Sequence, residues 1–142
     1  MTELVIRVAA AAMLIWLGMV LAISFLEAPL KFRAEGLELR VGLAIGRIVF
    51  RALNIAEVIW VVVIAVCVIV AGASGPVLIL AAVTAVLLAV QLLVVRPRLN
   101  RRSAHVLAGQ DGPRSRAHHA YLGLEVLKLG ALVVLGAALL AA

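Results

Sequence analysis

The sequence predicts an all-α integral membrane protein, a four-helix transmembrane bundle with both termini on the non-cytoplasmic side. Three observations carry that expectation. Of 142 residues, 66% are apolar and 14% are charged, and mean hydropathy is +1.24. A soluble domain of this size lacks the polar surface to cover itself, so the natural solvent is a bilayer. The apolar residues gather into four stretches, each near the ~20 residues of helix that cross a hydrocarbon core. The 13 Lys and Arg, set against 7 Asp and Glu, gather mostly between those stretches. Together these features exclude a secreted disulfide scaffold, a disordered chain and an ordinary cytosolic enzyme. The one cysteine, Cys67, lies in an apolar run and reads as filler.

The spans are expected at approximately 6–27, 48–72, 76–95 and 119–141, one transmembrane domain over 1–142. In span one, Val8 to Leu26 carries no charge. That run is too long for a signal peptide and has only Arg7 as a basic residue ahead of it, so it reads as a retained helix. Span two is cleanly apolar from Val58 to Ala73, and its helix must begin near Val49 to reach full length. Ala71-Gly72-Ala73-Ser74-Gly75-Pro76 then joins it to span three in a tight antiparallel hairpin. Thr84 and Gln91 are the only polar interruptions from Val77 to Val95. Arg96 to Ala117, with Gly109, Asp111, Gly112 and Pro113, reads as an exposed loop, and span four follows with Glu125 and Lys128 inside it.

Orientation follows from the basic residues. Lys31, Arg33, Arg40, Arg47 and Arg51 lie in the first connection and the start of span two, and Arg96, Arg98, Arg101, Arg102, Arg114 and Arg116 lie in the third connection. Only Arg7 stands on the opposite side. Cytoplasmic loops retain Lys and Arg, which places the protein in a plasma (inner) membrane with its basic loops cytoplasmic and in contact with anionic headgroups. No nucleic acid is expected as a partner, because the loops offer only Phe32 and Phe50 for stacking and no recognition motif.

Projected at 100° per residue, the polar residues share faces. His118, Tyr121, Glu125 and Lys128 fall in an arc of roughly 80°, with His119 pointing elsewhere, and Arg47, Arg51, Asn54 and Glu57 fall in roughly 120°. Span one presents Ser24, Glu27 and Lys31, and span three presents Thr84, Gln91 and Arg98 at heptad spacing. Four such stripes facing inward make a bundle with a polar interior. Glu125 lies about 9 Å and Lys128 about 13 Å inside the cytoplasmic end of their helix, while the outer half of every span is nearly free of polar side chains. A continuous conduction path within one protomer is therefore disfavoured, and the expected picture is a cytoplasm-facing pocket under an apolar plug.

An ionised group near mid-membrane costs about 2.5–3.5 kcal/mol or more, so Glu57, Glu125 and Lys128 need partners or a use. In the functional reading they form the charged core of a ligand site, with Arg47 and Arg51 at its mouth and Asn54, Gln91, His118 and Tyr121 supplying hydrogen bonds. In the structural reading they are an ion-pair network that fixes helix register, and Glu125 and Lys128 can pair along one helix. Candidate metal ligands are His118, His119 and Glu27, but no His-x3-His, Cys-x2-Cys or Glu-x2-His spacing accompanies them. Trp16 and Trp60, well inside their spans, read as packing residues. Gly42 and Gly46 form a small-xxx-small pattern that permits close approach within the bundle or between protomers, and Gly123, Gly130 and Gly136 could serve span four alike.

Four short segments occur in a familiar order: Ala28-Pro29-Leu-Lys-Phe32 ending span one, Gly46-Arg47-Ile-Val-Phe50 opening span two, Pro97-Arg-Leu-Asn100 after span three, and His118-His119 opening span four. In layout the chain resembles the small four-helix membrane proteins of the domain-of-unknown-function 4149 family, the group of human transmembrane protein 205. The resemblance implies the four-helix fold and an integral membrane role in handling metals or amphipathic small molecules rather than catalysis. The doubled histidine leaves two matches for the family's single one, and Glu27, Glu57 and Lys128 have no place in its pattern.

The leading expectation is a small membrane protein whose cytoplasm-facing intramembrane polar pocket binds or helps transport a small ion or a polar or amphipathic ligand. Transport would require a homo-oligomer or a moving bundle. The alternative is a non-catalytic accessory or assembly subunit of a larger membrane complex, its charges serving as internal glue. A third reading is a haem- or metal-binding redox protein with His118 or His119 as ligand. The sequence names no cofactor.

Overall fold

A computed structural model describes the backbone of residues 1–107 and 116–142 and, among these, every side chain except those of 103, 105–107 and 116–118. All regular structure among the described residues is helical. Helix α1 (Thr2–Val20) runs through a wide π-helical segment, Leu21–Glu27, into α2 (Ala28–Lys31), and α3 spans Leu39–Val70. Helix α4 (Gly75–Val90) runs through a second π-helical segment, Gln91–Val95, into α5 (Arg96–Leu107), and α6 spans Arg116–Ala141. Four of the resulting rods are long and apolar enough to cross a membrane: Thr2–Lys31, Leu39–Val70, Gly75–Arg102 and His119–Ala141.

The first three rods, of 30, 32 and 28 residues, are each about 42–48 Å long at 1.5 Å per residue and exceed a ~30 Å hydrocarbon core. The excess lies at the basic end. There the apolar pattern stops but the backbone does not, because Leu, Arg, Lys and Ala keep favouring helix in polar surroundings. Helix α3 accordingly starts well before Val49, and the first part of the expected loop after span three, Arg96–Leu107, is helical instead. The rest of that connection, including Gly109, Asp111, Gly112 and Pro113, lies outside the described residues.

Helix α1 packs against α3 and α6, and α4 packs against the same two, which closes a ring of four antiparallel neighbours. The turn between α3 and α4 is as short as the glycines and proline imply. Gly72 takes φ +60°, the N–H of Ala73 donates to the Val68 carbonyl at 3.1 Å, and the N–H of Gly72 donates to Ile69 at 3.0 Å. That pair of bonds is a Schellman closure, which needs a left-handed residue just beyond the helix. Gly36 (φ +77°) sits in a turn between α2 and α3, in which the Leu37 N–H donates to the Ala34 carbonyl at 3.3 Å.

At the end carrying the termini the interior is apolar apart from Thr84, with Ala9, Met13, Ile64, Leu132 and Leu135 buried. Gly136 matters there because the methyl end of Met13 occupies the space that a Cβ would take, whereas Gly123 and Gly130 face open space. Large apolar side chains such as Ile48, Ile69, Val86 and Val126 lie exposed around the outside, the surface a lipid-bathed bundle presents.

Each π-helical segment ends two residues before a proline, Pro29 or Pro97. A proline inside a helix has no N–H to give and its ring presses on the carbonyl four residues back, so the preceding turn widens. Both wide turns lie in the polar part of the bundle and bear on the site.

Candidate functional site

Below the apolar end the interior has two polar tiers. The middle tier is built around Lys128 of α6, which is fully buried. Its ammonium donates to Glu57 of α3, to Gln91 Oε1 at 2.9 Å and to Glu125 Oε2 at 3.2 Å, using all three N–H bonds. The Gln91 amide donates in turn to Glu125 Oε2 at 2.5 Å. Trp16 of α1 donates its indole N–H to Glu57 at 2.9 Å, and the Ser24 hydroxyl donates to Glu125 Oε1 at 3.0 Å. Every span thus contributes. Ser24 and Gln91 both sit in the wide turns, so the two π-helical segments deliver the neutral side chains that converge on Glu125.

The two carboxylates and one ammonium sum to −1 if all are ionised. Such a trio is stable out of water only when hydrogen bonds satisfy its remaining lone pairs, which is what Trp16, Ser24 and Gln91 do. Thr84, one turn pair above Gln91 on span three, is buried too but donates to its own helix at Leu80 (2.9 Å) and takes no part.

The tier at the basic end is open. A cavity of about 940 Å³ reaches from Ser24 and Tyr121 at its floor to the loops, with Lys31, Arg47, Arg96 and Arg102 along its wall. Phe50 meets Tyr121 edge to face, with centroids 6.0 Å apart at 89°. The Arg96 guanidinium lies 4.7 Å from the Phe50 centroid and 5.6 Å from that of Tyr121, while the Lys31 ammonium approaches Phe50 at 6.0 Å and Phe32 at 5.4 Å. Cations are attracted to ring faces, so this aromatic patch holds two of them at the cavity. Gly42 and Gly46 make the room: the Phe32 ring occupies the place of a Gly42 Cβ, and the Lys31 ammonium would lie 3.0 Å from a Cβ at Gly46. The small-residue pair therefore serves side chains of its own protomer.

Of the residues marked from the sequence, Glu57, Gln91, Glu125 and Lys128 converge in the middle tier, and Tyr121 lies buried between the tiers. Arg47 lines the cavity, but Arg51 is exposed and does not. Asn54 is half-buried and stands outside the hydrogen bonds just described. The His118 side chain lies outside the described residues, and His119 is exposed. Glu27 lies 3.7 Å from Lys31, apart from the trio. Among the described residues, no three His, Cys, Asp or Glu side chains gather as metal ligands.

Trp16 and Arg96 are the partners that stripe-drawing missed. An indole buried mid-membrane must find an acceptor, and Glu57 on the neighbouring span is the acceptor at matching depth. Arg96 carried no such signal, because it looked like one more basic loop residue. No family model matches the chain, and neither a curated protein nor a solved structure is significantly similar to it.

Proposed function

We propose that the protein is a small integral membrane protein of the inner (plasma) membrane whose cytoplasm-facing pocket binds a small polar or amphipathic ligand. In this reading the basic loops are cytoplasmic and both termini lie outside. The observation that carries it is the cavity of about 940 Å³ walled by Lys31, Arg47, Arg96 and Arg102, placed directly against a closed charged tier. The volume suits a small-molecule site, which is typically about 300–1,000 Å³. The contact residues differ from the first expectation: Glu57, Glu125 and Lys128 brace the four spans, and the ligand meets the cations and rings beneath them. Helping a ligand across would require a homo-oligomer or a rearranged bundle, because the apolar end offers no polar path.

Native mass spectrometry of gently extracted protein tests the proposal. A reproducible small molecule on each protomer that is lost on Arg96→Gln supports it, and an empty cavity in every preparation overturns it. A second reading, an accessory subunit of a larger membrane complex, draws on the self-satisfied middle tier, which needs nothing from outside. It predicts a stoichiometric foreign subunit in the same spectrum and no small ligand.

A further inference from the structure

We infer that the basic-end cavity holds the headgroup of one anionic phospholipid per protomer, taken sideways from the surrounding leaflet. This rests on the pocket reading above and adds the chemical class of the ligand. Charge comes first: the wall carries Lys31, Arg47, Arg96 and Arg102 and no Asp or Glu. Among the described residues no carboxylate lies within ion-pair distance of Arg47, Arg96 or Arg102. The Nε of Arg102 is buried without a hydrogen-bond partner, an unfilled donor at the cavity wall. Guanidinium forks match phosphate oxygens in pairs, and basic pockets between transmembrane helices take phosphate headgroups.

The rest of the wall tells a lipid from a water-soluble anion. Leu43 and Leu122 line the cavity, and Leu122 is also exposed on the outside of the bundle. The cavity therefore has an apolar side continuous with the lipid-facing surface, where acyl chains can lie while the phosphate meets the cations. A free phosphate ester would have no use for that side. Depth is limited by the floor, since Ser24 ties the cavity to the Glu125 carboxylate and a second anion pushed further would meet like charge.

The test uses the whole protein in lipid nanodiscs of phosphatidylglycerol and phosphatidylcholine with matched chains, released into a mass spectrometer. One phosphatidylglycerol is expected to stay on each protomer in preference to phosphatidylcholine. Retention should fall about tenfold for Arg47→Gln with Arg96→Gln, the loss of one or two charge-assisted bonds. Leu122→Trp, which fills the apolar side without touching a cation, should lower it as well. Arg98→Gln, which changes an exposed arginine outside the cavity, should leave it unchanged. Equal retention across all these variants, or no preference for phosphatidylglycerol, overturns the inference. Displacement by glycerol 3-phosphate or by oleate at equal concentration overturns the phospholipid while sparing the pocket. A cavity that takes none of the four probes and carries nothing from the cell overturns both.

Discussion

The middle tier and the basic-end tier hold similar numbers of charged side chains and use them in opposite ways. In the middle tier opposite charges lie side by side and every Lys128 proton is spoken for. At the basic end Lys31 has Glu27 beside it, while Arg47, Arg96 and Arg102 face rings and open space instead of carboxylates. The difference teaches where to look for function in a small membrane bundle. Buried ionisable residues attract attention because they are expensive, yet once they satisfy one another they behave as a clasp, and chemistry passes to the charges whose partners are missing.

The sharpest way to break the contrast is Lys128→Met. It strips the shared cation from two buried carboxylates, so a loss of about 3–5 kcal/mol is expected, read from reversible unfolding in mixed micelles. Adding Glu57→Gln and Glu125→Gln should restore most of that stability, since the cost lies in the uncompensated charge. A single variant as stable as the parent would falsify the clasp. Trp16→Phe keeps an aromatic ring but removes one donor to Glu57 together with part of the buried ring volume, with about 2 kcal/mol or more lost by the same assay.

Gly136→Ala probes the apolar end, where the new methyl displaces Met13. About 1 kcal/mol is expected, at the low end for overpacking because a methionine can swing aside, and a stabilised variant would show that the Met13 contact is looser than described. The smallest change in stability, under about 1 kcal/mol, belongs to Arg96→Gln, which loses only its ring contacts. If it unfolds the protein as readily as Lys128→Met, the basic-end cations belong to the clasp and the distinction between the tiers collapses.

The four spans were legible because hydrocarbon thickness imposes a length that composition alone reveals. Tyr121, Glu125 and Lys128 were legible as one face because α6 is regular from end to end, so 100° per residue holds across it. The same projection on span three linked Thr84, Gln91 and Arg98. The structure buries the first two and leaves Arg98 exposed, because the wide turn at Gln91–Val95 rotates everything after it. Span one behaves alike: Ser24 reaches Glu125, while Glu27 and Lys31 pair away from it. Both prolines were in plain view, and only the widening of the turn before each was not. A pocket was expected from the depth of the polar residues, but its lining was not legible, since empty space between helices is set by relative placement and leaves no periodicity in one chain.

The three-residue spacing of Glu125 and Lys128 also bears on how the protein enters its membrane. A helix presenting a lone ammonium to lipid would face a steep insertion penalty, but these two lie within reach along one helix, 3.2 Å apart in the finished fold. Span four thus carries its counter-ion with it and can cross into lipid as a nearly neutral unit before Glu57 and Gln91 are met. Placing the cation two residues from Glu125 instead of three would turn it to the far side of the helix, and the span would then present an unpaired ammonium to lipid.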